Sequence, residues 1–126
     1  MNKEVNFDIA KLLKDKEFID KNMYGEVRLS QPKFYDNNGV IHNIKDAFEK
    51  TELNLRECYN APTIAEVVMW LYEKHSIWIY IKQGYKWEWY IETVANHPEL
   101  KYNDGLEDSP TEAYEAAIEY TLKNLL

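Results

Sequence analysis

Nucleophilic catalysis and soft-metal binding both call for a thiolate or an imidazole. The 126-residue chain holds four such side chains: Cys58, His42, His75 and His97. No two of them have zinc-site spacing, since the sequence contains neither C-x-x-C nor H-x-x-x-H. His75 falls at the end of a helical stretch, on its apolar stripe, where the helix dipole favours a cation and a structural role is sufficient. His97-x-Glu99 would need further ligands before it could hold a metal. The carboxylates Asp104, Glu107, Asp108 and Glu112 gather ahead of the last helical segment, but DGLEDSPTE lacks the alternating ligands and distal glutamate of a calcium loop. The four glycines are scattered, so there is no phosphate-cradling loop, and no G-x-S-x-G or H-E-x-x-H occurs. The chain thus carries no motif for a reaction and implies no cofactor and no metal.

The feature that does ask for a functional explanation is aromatic. All four tryptophans, Trp70, Trp78, Trp87 and Trp89, lie between Pro62 and Val94. The chain here reads as one capped helix running into a two-stranded hairpin. Thr63 followed by Glu66 is a capping box, in which the hydroxyl accepts from an amide three residues on. Loss of that cap should cost about 1 kcal/mol. At 100° per residue, Ile64, Val67, Val68, Leu71 and His75 fall on one stripe. Trp70 and Tyr72 border it, and Met69 points away. Ile77, Ile79 and Ile81 then alternate with Trp78 and Tyr80, and beyond Gly84, Trp87, Trp89 and Ile91 alternate with Glu88, Tyr90 and Glu92.

Side-chain alternation restricts how these two strands pair. A loop of two or four residues sets Ile79 opposite Glu88 and puts charge on the isoleucine face. A loop with an odd number of residues keeps isoleucines with tryptophans, because a one-residue slip turns every side chain to the other face. The expected loop is centred on Gln83-Gly84-Tyr85, pairing Ile81 with Trp87, Ile79 with Trp89 and Ile77 with Ile91. The opposite face then carries Trp78, Tyr80, Glu88 and Tyr90. Trp78, Tyr80 and Tyr90 form the candidate face for a ligand or a partner.

The flanking elements follow from the same signals. Asn6 caps a short helix over FDIAKLLKDKEF that frays by Lys16. Glu26 to His42 reads as a first hairpin. In it Val27 and Leu29 alternate with polar residues, Pro32 limits the strand, and Asp36-Asn37-Asn38-Gly39 makes the turn. Asn43 can cap a helix carrying Ile44, Ala47 and Phe48, and LNLRECYNA reads as a short helix followed by a loop. Ala95 to Asp108 reads as a polar connection with turn pairs at His97-Pro98 and Asp104-Gly105. Ser109, Pro110 and Glu112 start the last helix, whose inward face is Tyr114, Ala117, Ile118, Thr121, Leu122 and Leu125. Glu112, Glu115 and Glu119 form an acidic flank. The expected architecture is a single α+β domain over residues 1–126, with a small antiparallel sheet of two hairpins and three or four helices mainly on one face.

Charge is uneven along the chain. Residues 1–60 carry 10 basic and 11 acidic side chains; residues 61–126 carry 5 basic and 11 acidic and no arginine. Phosphate contacts need Lys or Arg, so the second half is poorly suited to direct nucleic-acid binding. One cysteine excludes an intrachain disulfide and suits a reducing cytoplasm. No apolar run approaches the ~20 residues of a membrane span.

PTIAEVVMWLYEKHSIWI, the closing SPTEAYEAAIEYTLKNLL and the opening IAKLLKDKEF resemble a group of small proteins in gut-bacterial and phage genomes. The shared pattern is Pro62-Thr63, Ala65-Glu66-Val67, Trp70-Leu71, Glu73-Lys74-His75, Ile77 and Tyr114-Glu115-Ala116-Ala117. The resemblance implies a phage or mobile-element setting and transfers no activity or site. The expectation from the residues is a cytoplasmic protein acting through contacts with a protein partner or through self-association. The alternatives are a small-ligand-binding domain or enzyme using the same aromatic face, and a structural subunit whose rings form a homodimer interface.

Overall fold

The computed structural model describes residues 3–16, 18, 29, 31–45, 54–93, 100–102 and 106–126. Among them are three α-helices and two small antiparallel sheets, so the fold is α+β. The two expected hairpins lie in separate sheets, and each gains a third strand. The chain groups into two compact units, residues 4–62 and residues 1–3 with 63–126.

In the unit of residues 4–62, α1 (Phe7–Asp15) starts where Asn6 accepts from the Ile9 amide at 2.9 Å and ends at Lys16. It buries Ile9, Ala10 and Leu13. Strands β1 (Lys33–Tyr35) and β2 (Ile41–Asn43) pair antiparallel around the Asp36–Gly39 turn. Gly39 has φ +81°, which favours glycine, and a Cβ there would stand 3.0 Å from the Phe7 ring, which would have to shift to admit it. The expected strand at Val27 and most of the segment after Lys45 lie outside the described residues. A 3₁₀ turn at Leu55–Glu57 agrees with the short helix read in LNLRECYNA, but a strand follows it in place of a loop. This is β3 (Tyr59–Asn60), paired with β1. Two residues are too few to show a period, which is why the pattern hid it. The Lys14 ammonium ties α1 to this segment, donating to the carbonyls of Arg56 at 2.8 Å and Cys58 at 3.3 Å.

The other unit contains the tryptophan-rich stretch. Helix α2 (Ile64–His75) is capped as its sequence directs, with Thr63 accepting from the Glu66 amide at 3.2 Å. Ile64, Val67, Val68 and Leu71 are buried, while His75 is exposed, and so leaves the core stripe where its spacing placed it. The helix stops in a single residue. Ser76 adopts a left-handed conformation, φ 54°, and the chain turns at once into β4 (Ile77–Gln83). Strand β5 (Trp87–Thr93) returns antiparallel through the three-residue loop Gly84-Tyr85-Lys86.

The odd loop is observed, with the register two residues from the expected one. Ile81 opposes Trp89, Ile79 opposes Ile91 and Ile77 opposes Thr93. Parity follows from side-chain alternation, which a shift of two leaves unchanged; the turn decides the offset. Strand β6 (Leu100–Tyr102) pairs with β5 where a plain connection was expected. The inner face buries Ile77, Ile79, Trp89 and Ile91, and leaves Ile81 and Trp87 half-buried toward the turn.

Helix α3 (Pro110–Asn124) packs on both β4 and β5. Its Tyr120 ring lies 5.6 Å from that of Trp89. Ser109 accepts from the Glu112 amide at 3.2 Å, and Pro110 takes the first turn. The buried set is Ala113, Ala117, Ile118, Thr121 and Leu122; Tyr114 and Leu125, expected inside, lie at its border.

The Trp89 indole Nε1 is buried with no hydrogen-bond partner among the described residues. Burial of an unsatisfied donor costs about 1–3 kcal/mol. Because truncation also removes the buried ring and leaves a cavity, Trp89→Ala is expected to lose about 3–5 kcal/mol in urea unfolding. Trp89→Phe, which removes the donor and keeps most of the ring, is expected to lose under about 2 kcal/mol.

Candidate functional site

Among the described residues, the side chains suited to nucleophilic or metal chemistry lie apart from one another. His42 Nε2 lies 2.8 Å from Asp36 Oδ2, and its ring stacks on Phe34 with centroids 5.3 Å apart. An Asp–His pair can orient a base. Here, however, the other Asp36 oxygen accepts from the Asn38 and Val40 amides at 2.8 and 3.0 Å. The carboxylate thus closes the hairpin turn and fastens β2 to it. These contacts, the His42 hydrogen bond first, hold the Asp36 carboxyl below its ordinary range.

Cys58 is buried, and its thiol contacts the Asn54 carbonyl at 3.4 Å. Burial first, and then the negative charge of Asp36, push the thiol upward, opposite to what a nucleophile needs. His75 sets its ring edge-on to Trp70 at 4.7 Å. His97 lies outside the described residues. Among the described residues no three His, Cys, Asp or Glu side chains converge as a metal ion would require.

Trp78, Tyr80 and Tyr90 do share the outer face of the second hairpin, but not as one platform. Tyr80 and Tyr90 are direct cross-strand partners and stack with centroids 5.0 Å apart and planes 9° from parallel. The Tyr90 hydroxyl donates to Glu88 at 2.8 Å. Both rings are half-buried. Trp78 turns instead toward the last turn of α2, where it meets Tyr72 edge to face at 5.3 Å and 73°.

Met69, Tyr72, Trp78 and Glu92 line an open groove of about 480 Å³. Met69 is 44% exposed, Tyr72 47% and Trp78 37%. Three of these four were not assigned to the site from sequence. Met69 was legible as pointing away from the helix core and Tyr72 as a border residue. Glu92 was hidden by the two-residue register difference, which would have set Tyr90 opposite Trp78; the observed pair is Trp78 with Glu92.

The acidic flank of α3 is engaged within the unit. Glu112 accepts from the Asp108 amide at 3.2 Å, Glu115 pairs with Lys3 at 3.7 Å, and Glu119 pairs with Lys123 at 2.6 Å. These contacts give each carboxylate a structural use.

Comparison of the chain with family models, with curated proteins and with solved structures gives no match.

The Asp36 clamp has a pH signature. A carboxyl held below its ordinary value of 3.8 in the folded chain contributes stability above that value and loses it as pH falls through the lower, folded value. In urea unfolding, Asp36→Asn is expected to be less stable than the parent at pH 7. The difference should shrink as the pH is taken below about 3.8.

Proposed function

We propose that this protein is a binding module that works by protein–protein contact through the groove between the end of α2 and the start of β4. One observation carries the reading: Met69, Tyr72 and Trp78, three large apolar side chains, are all substantially exposed and all line one groove. Scattered exposed hydrophobes need no explanation, whereas convergent ones mark interaction surfaces. Met, Tyr and Trp are also types enriched at such interfaces. A pocket for a small molecule encloses most of its ligand, whereas this groove is open to solvent. No helix among the described residues is long and apolar enough to cross a membrane. The reading includes a phage or mobile-element setting in a bacterial cytoplasm, supported by the resemblance of the α2 and α3 segments and by the single cysteine.

Affinity capture from a lysate of the source organism, with full-length chain as bait, tests the reading. Trp78→Ser combined with Tyr72→Ser removes two partly exposed rings, 37% and 47% exposed, and circular dichroism checks that the fold is kept. The expected result is a partner held by the parent chain and lost by the double variant. Identical capture by both chains would contradict the proposal. Sedimentation of the parent over a range of concentrations identifies a second copy of the chain as the partner if its mass doubles and the double variant's does not.

A further inference from the structure

We infer that the groove receives the side chain of an arginine from a basic partner, an inference that rests on the contact surface proposed above. Trp78 and Tyr72 meet edge to face at 73° and both line the groove, so it is bordered by two aromatic rings. The face of an aromatic ring is electron-rich and attracts a cation, most strongly for Trp. Glu92 lines the same groove and is exposed, directly across the strand pair from Trp78. No basic side chain lines the groove among the described residues. Met69 adds a polarisable thioether against which an aliphatic stem can pack.

The carboxylate decides between an apolar anchor and a cationic one. A partner that filled the groove with leucine or phenylalanine would strip water from Glu92 and leave the charge unpaired, which is heavily penalised. A cationic side chain uses the rings and the carboxylate together. Arginine fits better than lysine, because its planar guanidinium can lie on a ring while its N–H groups reach the carboxylate. The charge of the chain points the same way: residues 61–126 carry 11 acidic and 5 basic side chains and no arginine. A basic segment is therefore attracted to this half before contact.

The test titrates the full chain with blocked peptides, Gly-Ser-Arg-Ser-Gly and the same peptide with neutral, nearly isosteric citrulline in place of arginine. The Trp78 indole N–H resonance, assigned with Trp78→Phe, is followed by NMR. The arginine peptide is expected to move that resonance saturably and to bind about 5- to 30-fold more tightly than the citrulline peptide, from one cation–π contact and one exposed ion pair together. Glu92→Gln, a change at an exposed position, should take away the ion pair's share of that preference and leave the share that the rings supply. Equal binding of both peptides would overturn the arginine assignment and leave the contact surface standing. No saturable shift at Trp78 with either peptide would overturn the assignment too. If capture were also identical for parent and double variant, the contact surface itself would fall.

Discussion

Side chains on a β-ribbon alternate between its faces, and in this chain that alternation divides folding from recognition. With the register set by Gly84-Tyr85-Lys86, Ile77, Ile79, Trp89 and Ile91 point into the unit. Each such burial contributes about 1.5–3 kcal/mol. A one-residue slip of β5 against β4 would turn β5 over, forfeiting Trp89 and Ile91 and burying Tyr90 and Glu92 in their place. The outer face therefore has its composition because the inner face holds the register. The one-residue connection at Ser76 does the rest: it brings the last turn of α2 beside the first residues of β4, so that Tyr72 meets Trp78. A longer link would not impose that proximity.

The unit of residues 4–62 is held differently. Its sheet is short, and polar groups do much of the fastening. Asp36 closes the hairpin, the buried Asn60 side chain accepts from the Gln31 amide at 3.0 Å, and Tyr35 donates to the Val5 carbonyl at 2.7 Å. Phe7 packs against the rings of Tyr35 and Tyr59. His42 and Cys58 take part in this fastening, His42 through Asp36 and Phe34 and Cys58 through the Asn54 carbonyl. Burial raises the Cys58 thiol, and Asp36 divides its two oxygens between the turn amides and His42.

Where local physics acts alone, the sequence was a good guide. The caps at Asn6, Thr63 and Ser109, the α2 stripe, the Asp36–Gly39 turn and the parity of the second hairpin all depend on neighbours within a few residues. Two kinds of feature escaped. Strands β3 and β6 are too short for a period to show, and they exist because another strand's edge was there to pair with. The offset of the β4–β5 register depends on turn geometry, and Gly84 gives no unique signal for it. That offset mattered for the site. Read two residues away, Trp78 faces Tyr90 and the outer face looks like an aromatic platform. In the observed register Tyr80 and Tyr90 satisfy each other, and Trp78 is left with Tyr72 and a carboxylate.

The register is thus the claim on which both the core and the groove depend, and it can be read directly. Cross-strand nuclear Overhauser effects in the full chain should connect Trp78 with Glu92 and Tyr80 with Tyr90. Contacts linking Trp78 with Tyr90 and Tyr80 with Glu88 instead would place β5 two residues away, remove Glu92 from the groove and contradict the account.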